Sequence, residues 1–351
     1  MVPSRIDADR SGQSRARGAL IVGAGAAGLL HALSFRAHGV PVVAVFDPDR
    51  ARAERLADLV GGPRVLDTFG MVAQCKDVDC VSICSPPPFH VEQAEMCATN
   101  GENHRLVFVE KPVAITRNEM ARLDRLRHVV PVVQWRTGRS LRAVRRAVAE
   151  GFFGPAPSVA IDLAWHRDAH YFARNRARYD QWGCGALLSI GIHALDAVCF
   201  ALDRPITEVH GMLGFTAGIE VETGATLALA FRGGALASLR ITFEAAHDRT
   251  RITFCGAGVT ATINGTEADP TANEIEFAAN DPVKERALRA LACDIDGVNS
   301  GPLLVPFIGA AVDAFCRGLT PGAPSNIPSI RDVAMAHAAI FRLYESYAAR
   351  Q

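Results

Sequence analysis

The chain has 351 residues, of which 49% are hydrophobic, and its 37 lysines and arginines balance 37 aspartates and glutamates. This length predicts about two domains, each with enough apolar material for a core. A neutral chain with few aromatic residues lacks the basic footprint of a nucleic-acid-binding protein. No segment approaches the roughly 20 consecutive apolar residues of a membrane span. We therefore expect neither nucleic acid nor a membrane as a partner.

The N-terminal stretch MVPSRIDADRSGQSRARG is charged and has no apolar core. It is not a secretory signal, and residues 1–17 are predicted to form a flexible tail. The nine cysteines are scattered, without a CxxC pair. They indicate reduced thiols and a cytoplasmic location, and they argue against a disulfide framework or a zinc site.

Residues 18–140 alternate between strand-like and helix-like patterns. The strand-like runs are ALIVGAG, PVVAVFD, VDCVSICSPPP and LVFVEKP, and the helical runs between them include AAGLLHALSFRAHG, PDRARAERLADLVGG and FHVEQAEMCATNG. Such alternation predicts a doubly wound parallel sheet, and hence a Rossmann domain. LVFVEKP is expected to be its last parallel strand, and QWRTGRS to be a crossover strand followed by a helix start.

Residues 141–351 have a different character. Successive strands with tight glycine turns (PSVAIDLAWH, ITEVHGMLGF, ATLALAF, ALASLRITFEA, RITFCGAG and VTATING) predict an open, mainly antiparallel or mixed sheet. GALLSIGIHALDAVCFAL lies among them as a helix, and two further helices follow, the last beginning near Ser329. We expect an α+β domain for substrate binding and oligomerisation, with the last helix as a candidate to pack back on the Rossmann domain.

The segment GAGAAG contains a GxGxxG pattern between a strand and a helix, which is the context of a dinucleotide site. Its glycines allow a tight turn and close approach of a pyrophosphate at the helix N-terminus. The residues expected to contact the cofactor here are Gly23, Gly25, Ala26, Ala27 and Gly28. The alternative is a glycine turn that serves packing only.

Asp47 ends the second strand, 19 residues after Gly28. An acidic side chain there binds the ribose hydroxyls of NAD and repels a 2′-phosphate. Arg50 and Arg52 lie close enough to soften this selectivity, so NAD is predicted with NADP as the alternative. Asp47 also has a purely structural interpretation, as the cap of a helix starting at Pro48.

The segment VFVEKPVAI places Glu110 and Lys111 at the end of an apolar strand, directly before Pro112. A charge pair in a buried strand is costly unless it has partners or a function. The C-terminal end of a parallel strand is where such sheets bind ligands. The alternative is a strand-end lysine paired with Glu110.

Four segments, GAGAAG, CSPPPFHVEQAEMCATNG, VFVEKPVAIT and GALLSIGIHALD, occur in an order and spacing that resembles the glucose–fructose oxidoreductase/inositol dehydrogenase/rhizopine catabolism (Gfo/Idh/MocA) family. The resemblance extends from about residue 18 to the final helix. It implies a Rossmann domain and a C-terminal domain with an open sheet. One face of that sheet covers the nicotinamide, and the other often builds dimers or tetramers. It also implies oxidation or reduction of a sugar or polyol.

The resemblance implies that Lys111 contacts cofactor and substrate beside the reacting hydroxyl and that Pro112 follows a cis peptide bond. Glu110 is expected to belong to the cofactor site and to orient its neighbours. General chemistry agrees, because hydride transfer from an alcohol requires loss of the hydroxyl proton to a base. In the SPPPFH loop, the matching cofactor positions are Ser85, Pro86 and His90. The alternative for this loop is a proline-rich strand stop, with His90 capping the next helix.

The family often has Asp-x-x-x-His in the segment that matches GALLSIGIHALD. His193 matches the histidine, whereas Ser189 replaces the aspartate, which leaves open what assists Lys111. The spacing of four places both residues on one helix face, and both are candidates for contact with the substrate. His193 is expected to bind a sugar hydroxyl or share the proton relay, with a core histidine as the alternative. Asp196 is either a substrate contact or a helix anchor.

The segment WHRDAHYFARNRARYDQWG is rich in aromatic residues and arginines, which stack on sugar rings and bind carboxylate or phosphate. Arg167, His170 and Tyr171 are the substrate candidates, and the run RNRAR is a candidate phosphate grip. The alternative is a solvated loop. His166 and His170 lack further ligands, so no metal site is predicted. Arg136 and Arg139 are further substrate candidates.

Together these patterns predict an NAD-dependent oxidoreductase that oxidises, or in reverse reduces, a secondary hydroxyl of a sugar or amino-sugar derivative. Lys111 is the expected general acid/base and His193 its assistant, in a homodimer or homotetramer. One alternative is a redox-neutral enzyme that retains NAD, of the glycosidase or transhydrogenase kind. Another is a dinucleotide-binding regulator without catalysis.

Overall fold

The structure, a computed structural model, describes residues 6–8, 14–16, 18–99, 105–174, 185–265, 274–295, 303–318, 321 and 327–349. The chain divides into two compact units. The first unit comprises Met1–Val132 and Leu304–Val333, and the second comprises Val133–Leu303 and Ala334–Gln351. Among the residues so described, no helix combines the length and apolarity needed to cross a bilayer.

The first unit is built on a sheet of six parallel strands in the order β5-β4-β3-β6-β7-β8. These strands are β3 (Ala19–Val22), β4 (Val42–Phe46), β5 (Arg64–Val65), β6 (Cys80–Ile83), β7 (Leu106–Val109) and β8 (Val129–Pro131). Every residue of β3, β6 and β7 is buried. Parallel sheets covered on both faces need such continuous apolar strands.

The helices of this unit follow its strands along the chain. They are α1 (Ala26–Ala37), α2 (Arg50–Val60), α3 (Gly70–Gln74), α4 (His90–Thr99), α5 (Arg117–Leu123) and α10 (Leu304–Cys316). Local sequence sets their starts: Thr116 and Glu119 form a capping box at α5, which satisfies two amides that the helix leaves free. Within the predicted tail, β1 (Ile6–Ala8) and β2 (Ser14–Ala16) pair antiparallel.

The second unit contains a seven-stranded sheet in the order β10-β11-β12-β9-β13-β14-β15, in which only the β9–β12 pair is parallel. Its strands are β9 (Ser158–His166), β10 (Ile206–Gly214), β11 (Gly224–Phe231), β12 (Leu236–Thr242), β13 (Glu244–Gly256), β14 (Val259–Gly265) and β15 (Glu274–Ala279). The predicted fold class, a doubly wound parallel sheet plus an α+β region with a mixed sheet, is confirmed.

The helices of the second unit are α6 (Arg139–Ala149), α7 (Ala169–Arg174), α8 (Ile192–Leu202) and α9 (Pro282–Cys293). A π-helical turn, Leu187–Gly191, runs directly into α8. The final helix, α11 (Ile330–Ala348), begins in the first unit and ends in the second.

Two expectations about single segments are wrong. β7 is not the last strand of the parallel sheet, because β8 pairs with it as the edge strand. QWRTGRS does not begin with a strand: Gln134–Thr137 form a 3-10 turn, and α6 follows. β15 and α9 had no prediction of their own.

Candidate functional site

The glycine turn after β3 has the shape of a dinucleotide cradle. Gly23 has φ +95°, and a Cβ there would lie 2.7 Å from the carbonyl of Cys84. A Cβ on Gly28 would lie 2.0 Å from the carbonyl oxygen of Gly23. At Gly25, by contrast, a Cβ would meet no atom of the described residues within 4 Å. Two glycines thus make the turn tight, and the third leaves the open space that a pyrophosphate needs.

Helix α1 begins immediately behind this open space. Gly25 is its N-cap and has no side chain to bond the first amides, and Ala26 and Ala27 form its first turn. Free amides and the positive end of the helix dipole attract a phosphate. The turn therefore fits the cofactor that the sequence predicts, although the individual contacts stay predictions.

Asp47 holds this turn through its carboxylate. Its Oδ2 accepts a hydrogen bond from the amide of Ala24 (2.8 Å), and its Oδ1 accepts one from the amide of Asp49 (2.8 Å). The interpretation of Asp47 as a helix cap is wrong, because α2 begins at Arg50 and Asp49 is its N-cap.

Both nearby arginines are engaged by carboxylates. Arg50 bonds Glu54 (2.8 Å) and Asp67, and Arg52 lies 3.1 Å from Asp49. These pairs are exposed, so each is weak. They nevertheless compete with a 2′-phosphate for the two guanidinium groups, which favours NAD.

The Glu-Lys-Pro segment follows the carboxyl end of β7. The Lys111–Pro112 peptide bond is cis, which confirms the expectation. The Glu110 carboxylate accepts a hydrogen bond at Oε2 from the backbone amide of Lys111 (3.0 Å), and its Oε1 lies 3.0 Å from Nε2 of His31. Glu110 therefore binds the backbone of the turn and a helix behind it.

His31 is a residue that sequence reasoning missed. It is fully buried on α1, and its Nδ1 lies 2.8 Å from the hydroxyl of Ser82 on β6. A single histidine within a helical pattern carries no signal that distinguishes it from a core residue. Only the fold brings it to Glu110, which is 79 positions away in the chain.

The SPPPFH loop meets the same turn from the other side. His90 opens α4 and is buried, with Nδ1 2.9 Å from the carbonyl oxygen of Pro112 and Nε2 2.8 Å from that of Ser85. The Ser85 hydroxyl donates to Oε1 of Gln93 (2.6 Å). Pro86 precedes a 3-10 turn. His90 thus joins the loop to the lysine turn, and the contacts of Ser85, Pro86 and His90 with cofactor stay predictions.

In the second unit, Ser189 lies in the π-helical turn and His193 in α8, and both are buried. The Ser189 hydroxyl donates to the carbonyl oxygen of Gly185 (2.7 Å). The His193 imidazole stacks face to face on Trp135, with 5.1 Å between ring centroids and an interplanar angle of 11°. Trp135, which sequence reasoning missed, therefore restrains the ring of His193.

Glu222 is a third residue that sequence reasoning missed. It is buried two positions before β11, and its carboxylate contacts the start of the segment that carries Ser189 and His193. Its Oε1 accepts hydrogen bonds from the amide of Leu187 (3.0 Å) and the hydroxyl of Tyr344 (2.6 Å). Burial raises the pKa of Glu222 to about 7, and these two hydrogen bonds oppose the shift.

Two candidate substrate arginines have structural partners. Arg136 donates two hydrogen bonds to Asp196, and Arg139 donates to the carbonyl oxygens of Ala292 and Cys293 at the end of α9. These contacts support the helix-anchor alternative for Asp196. A substrate role for any of them stays a prediction.

Arg167 lies on an aromatic platform. Its guanidinium carbon is 5.1 Å from the ring centroid of Trp165, 5.0 Å from that of Tyr171 and 5.9 Å from that of Phe243. Its Nη1 lies 3.8 Å from Oδ2 of Asp248. A cavity of about 840 Å³ opens beside it. Its lining includes His166, Arg167, Phe172, Glu220, Phe243 and Glu244.

Other predictions for this segment differ in outcome. His170 is exposed on α7 and does not line the cavity. Of the RNRAR run, only Arg174 is described; residues 175–178 lie outside the described residues. Across the ranges that the structure describes, no three histidine, cysteine or acidic residues cluster as a metal site would require.

Two family comparisons cover most of the chain. The sequence model of an oxidoreductase family with an NAD-binding Rossmann fold (Gfo/Idh/MocA) matches residues 17–130. The model of the Gfo/Idh/MocA C-terminal domain matches residues 141–268.

Curated relatives align with part of the chain. An inositol 2-dehydrogenase of Rubrobacter xylanophilus is 30% identical over 198 residues, which are 54% of this chain and 53% of the relative. A D-glucoside 3-dehydrogenase of Escherichia coli is 29% identical over 201 residues, 53% of this chain and 54% of the relative. The chain thus spans about half the length of these curated relatives.

Among solved structures, the WlbA dehydrogenase from Bordetella pertussis in complex with NADH and UDP-GlcNAcA is similar with a TM-score of 0.79. It is 22% identical and covers 96% of this chain and 98% of its own. This likeness shows the fold. With both family models matching in order, the chain belongs to the Gfo/Idh/MocA family of oxidoreductases with an NAD-binding Rossmann domain.

Proposed function

We propose that the protein is an NAD-dependent dehydrogenase that oxidises, or in reverse reduces, a secondary hydroxyl of a sugar or amino-sugar derivative. The observation that carries this proposal is the position of Lys111. It follows β7 at the carboxyl end of a parallel sheet whose first turn, between β3 and α1, is an open glycine cradle. Ligands of such sheets bind beyond the carboxyl ends of their strands.

The glycine turn before α1 would hold NAD, which would supply the hydride acceptor in the oxidative direction. The residues of the chain then handle the proton: the Lys111 amine takes it from the substrate hydroxyl, and in the reductive direction the ammonium returns it. We propose His193 as the assisting group. Its stacking on Trp135 supports this role, because a restrained imidazole holds each of its two nitrogens in a fixed direction.

The cavity beside Arg167 supports a sugar derivative as the substrate. Its volume of about 840 Å³ lies in the range of small-molecule sites. Phe172 and Phe243 offer apolar surface for a ring, and the Arg167 guanidinium offers a fixed positive charge for an acidic group. We propose the nucleotide-linked or acidic sugars as the first substrates to test, since a complex with UDP-GlcNAcA is known for a protein of this fold.

The test is an assay of NADH formation with NAD and a panel of free, acidic, phosphorylated and nucleotide-linked sugars. One sugar class should give NADH, and deuterium at the oxidised carbon should slow the reaction. Exchange of that hydrogen without net NADH would favour the redox-neutral alternative. Neither NADH nor exchange with any sugar would contradict both enzymatic functions and leave a dinucleotide-binding regulator.

We further propose a homodimer or homotetramer and a cytoplasmic location. The side chains of Met212 and Leu236 are 72% and 57% exposed on strands of the seven-stranded sheet. Exposed apolar side chains are enriched at contacts between subunits. Sedimentation of the purified protein tests the assembly: a monomer at micromolar concentration would contradict it.

The eight cysteines that the structure describes are free thiols, which is consistent with a reducing compartment.

A further inference from the structure

We propose that His31 is a positioning residue for Lys111, acting through the buried chain Ser82–His31–Glu110. This inference rests on the proposed role of Lys111 as the general acid/base. His31 does not belong to any motif of the sequence, and its effect is transmitted through a carboxylate to the backbone that carries the lysine.

The His31 imidazole lies between a hydroxyl and a carboxylate. Its two nitrogens lie 2.8 Å from the Ser82 hydroxyl and 3.0 Å from Oε1 of Glu110. All three residues are buried. An ionised carboxylate only accepts hydrogen bonds, so Nε2 carries a proton. In the neutral ring, Nδ1 then accepts from the Ser82 hydroxyl, and both nitrogens are satisfied.

The Glu110 carboxylate links the imidazole of His31 to the backbone of Lys111. Glu110 uses Oε1 for His31 and Oε2 for the backbone amide of Lys111 (3.0 Å). Rotation of the carboxylate would therefore disturb both bonds together. By bonding Oε1, His31 fixes the plane of the Glu110 carboxylate. Oε2 is thereby held where it accepts the hydrogen bond from the Lys111 amide. The carboxylate in turn restrains the backbone from which the Lys111 side chain projects.

His31 also connects the lysine turn to the proposed cofactor site. It lies on α1, the helix that begins at the open glycine cradle. One helix therefore supplies the proposed pyrophosphate site at its N-terminus and the support of the lysine turn one turn further on. Since effective acid–base catalysis depends on sub-ångström placement, this coupling favours a fixed distance between the lysine and the cofactor.

A packing role alone accounts poorly for the histidine. Its ring touches Phe108 edge-on, at 6.5 Å between centroids, a contact that an aliphatic side chain also provides. A buried carboxylate and imidazole carry a desolvation cost that an apolar pair avoids. Ser34 on the same helix shows the purely local pattern, because its hydroxyl donates to the carbonyl oxygen of Leu30 (2.7 Å).

The test compares His31→Leu, His31→Asn and His31→Gln with the matched control Ser34→Ala, a buried polar residue of the same helix. Gln places an amide near the former Nε2 and can still donate to Glu110, whereas Asn reaches only the position of Nδ1 and Leu donates to neither partner. We expect kcat to fall about 10- to 100-fold in the Leu and Asn variants and to be largely restored in the Gln variant. The Kd for NAD should change less than about threefold in all of them.

A second readout does not depend on turnover. Amide hydrogen exchange in the NAD-bound protein should accelerate in a peptide that covers residues 106–113 for His31→Leu, and should be unchanged for Ser34→Ala. Equal exchange in the two variants would overturn the inference. So would faster exchange with an unchanged kcat. If wild-type protein turns over no sugar at all, the proposed function fails, and the exchange measurement alone decides whether His31 holds the turn.

Discussion

The guanidinium of Arg136 donates two hydrogen bonds to the carboxylate of Asp196, from Nε to Oδ2 (2.8 Å) and from Nη2 to Oδ1 (2.6 Å). The side chains are 13% and 2% exposed. This bidentate pair ties the 3-10 turn with Trp135 to the helix with His193. Arg136 directly follows Trp135, and Asp196 lies three positions after His193. The ion pair therefore supports the stacking of the two rings.

Breaking this pair should destabilise the protein. Arg136→Met leaves a buried carboxylate without its bidentate partner, so we expect a loss of about 3–5 kcal/mol in the free energy of unfolding. The double variant Arg136→Met/Asp196→Leu should recover much of that loss, because it leaves no charge behind. The control is Arg146→Met, which breaks an exposed pair with Glu150 and should cost less than about 1 kcal/mol. Urea unfolding provides the values, and equal costs for the two single variants would argue against a buried anchor.

Removing the Lys111 amine should separate catalysis from cofactor binding. Lys111→Met keeps the length and apolar stem of the side chain and loses the proton acceptor. We expect kcat to fall by about 100- to 10,000-fold, with the Kd for NAD within about threefold of wild type. Calorimetric titration with NAD and the NADH assay measure the two quantities. Near-full turnover in this variant would remove Lys111 from the mechanism.

Glu222 should make stability depend on pH. Its pKa in the folded protein is about 7, against an ordinary value of 4.5. Between these values the folded chain holds a proton that the unfolded chain has lost, so the free energy of unfolding falls as pH rises. Glu222→Gln keeps acceptors for the Leu187 amide and the Tyr344 hydroxyl and cannot ionise. As the pH rises from 4.5 to about 7, the free energy of unfolding of this variant should therefore increase by roughly 3 kcal/mol relative to that of the wild type.

Denaturant unfolding at about pH 5 and about pH 8 checks this expectation. The control is Glu220→Gln, an exposed glutamate two positions away, which should shift stability equally at both pH values. If the free energies of unfolding of Glu222→Gln and wild type differ by the same amount at both pH values, Glu222 is ionised in the folded protein at both.

Asp47 should decide between the two nicotinamide cofactors. Asp47→Ser removes the carboxylate that the ribose hydroxyls of NAD would meet, and with it the repulsion of a 2′-phosphate. We expect the Kd for NAD to rise at least about tenfold, the value of one charge-assisted hydrogen bond, and the Kd for NADP to fall. Asp49→Ala is the control, since Asp49 caps α2 and alanine cannot. This control should lower the free energy of unfolding without changing the ratio of the Kd for NADP to the Kd for NAD. If both variants lower that ratio, the effect belongs to the loop as a whole and not to Asp47.

The sequence by itself determined the strand and helix order of the Rossmann unit, the mixed sheet, the glycine cradle, the family and the Glu-Lys-Pro turn. These features are local: apolar periodicity, glycine spacing and capping residues act over a few positions, so their pattern is visible in the chain. The exceptions are equally local, because the three-residue strand β8 and the 3-10 turn at Gln134 are too short for any period to appear.

Only the tertiary structure decided which side chains support the candidate site. Glu110 bonds His31 across 79 positions, Arg136 bonds Asp196 across 60, and Tyr344 bonds Glu222 across 122. A buried polar residue must find a partner, but the sequence names no partner, because the choice depends on which strands and helices become neighbours. That is also why Lys111 was conspicuous in the sequence, whereas the histidine behind it was not.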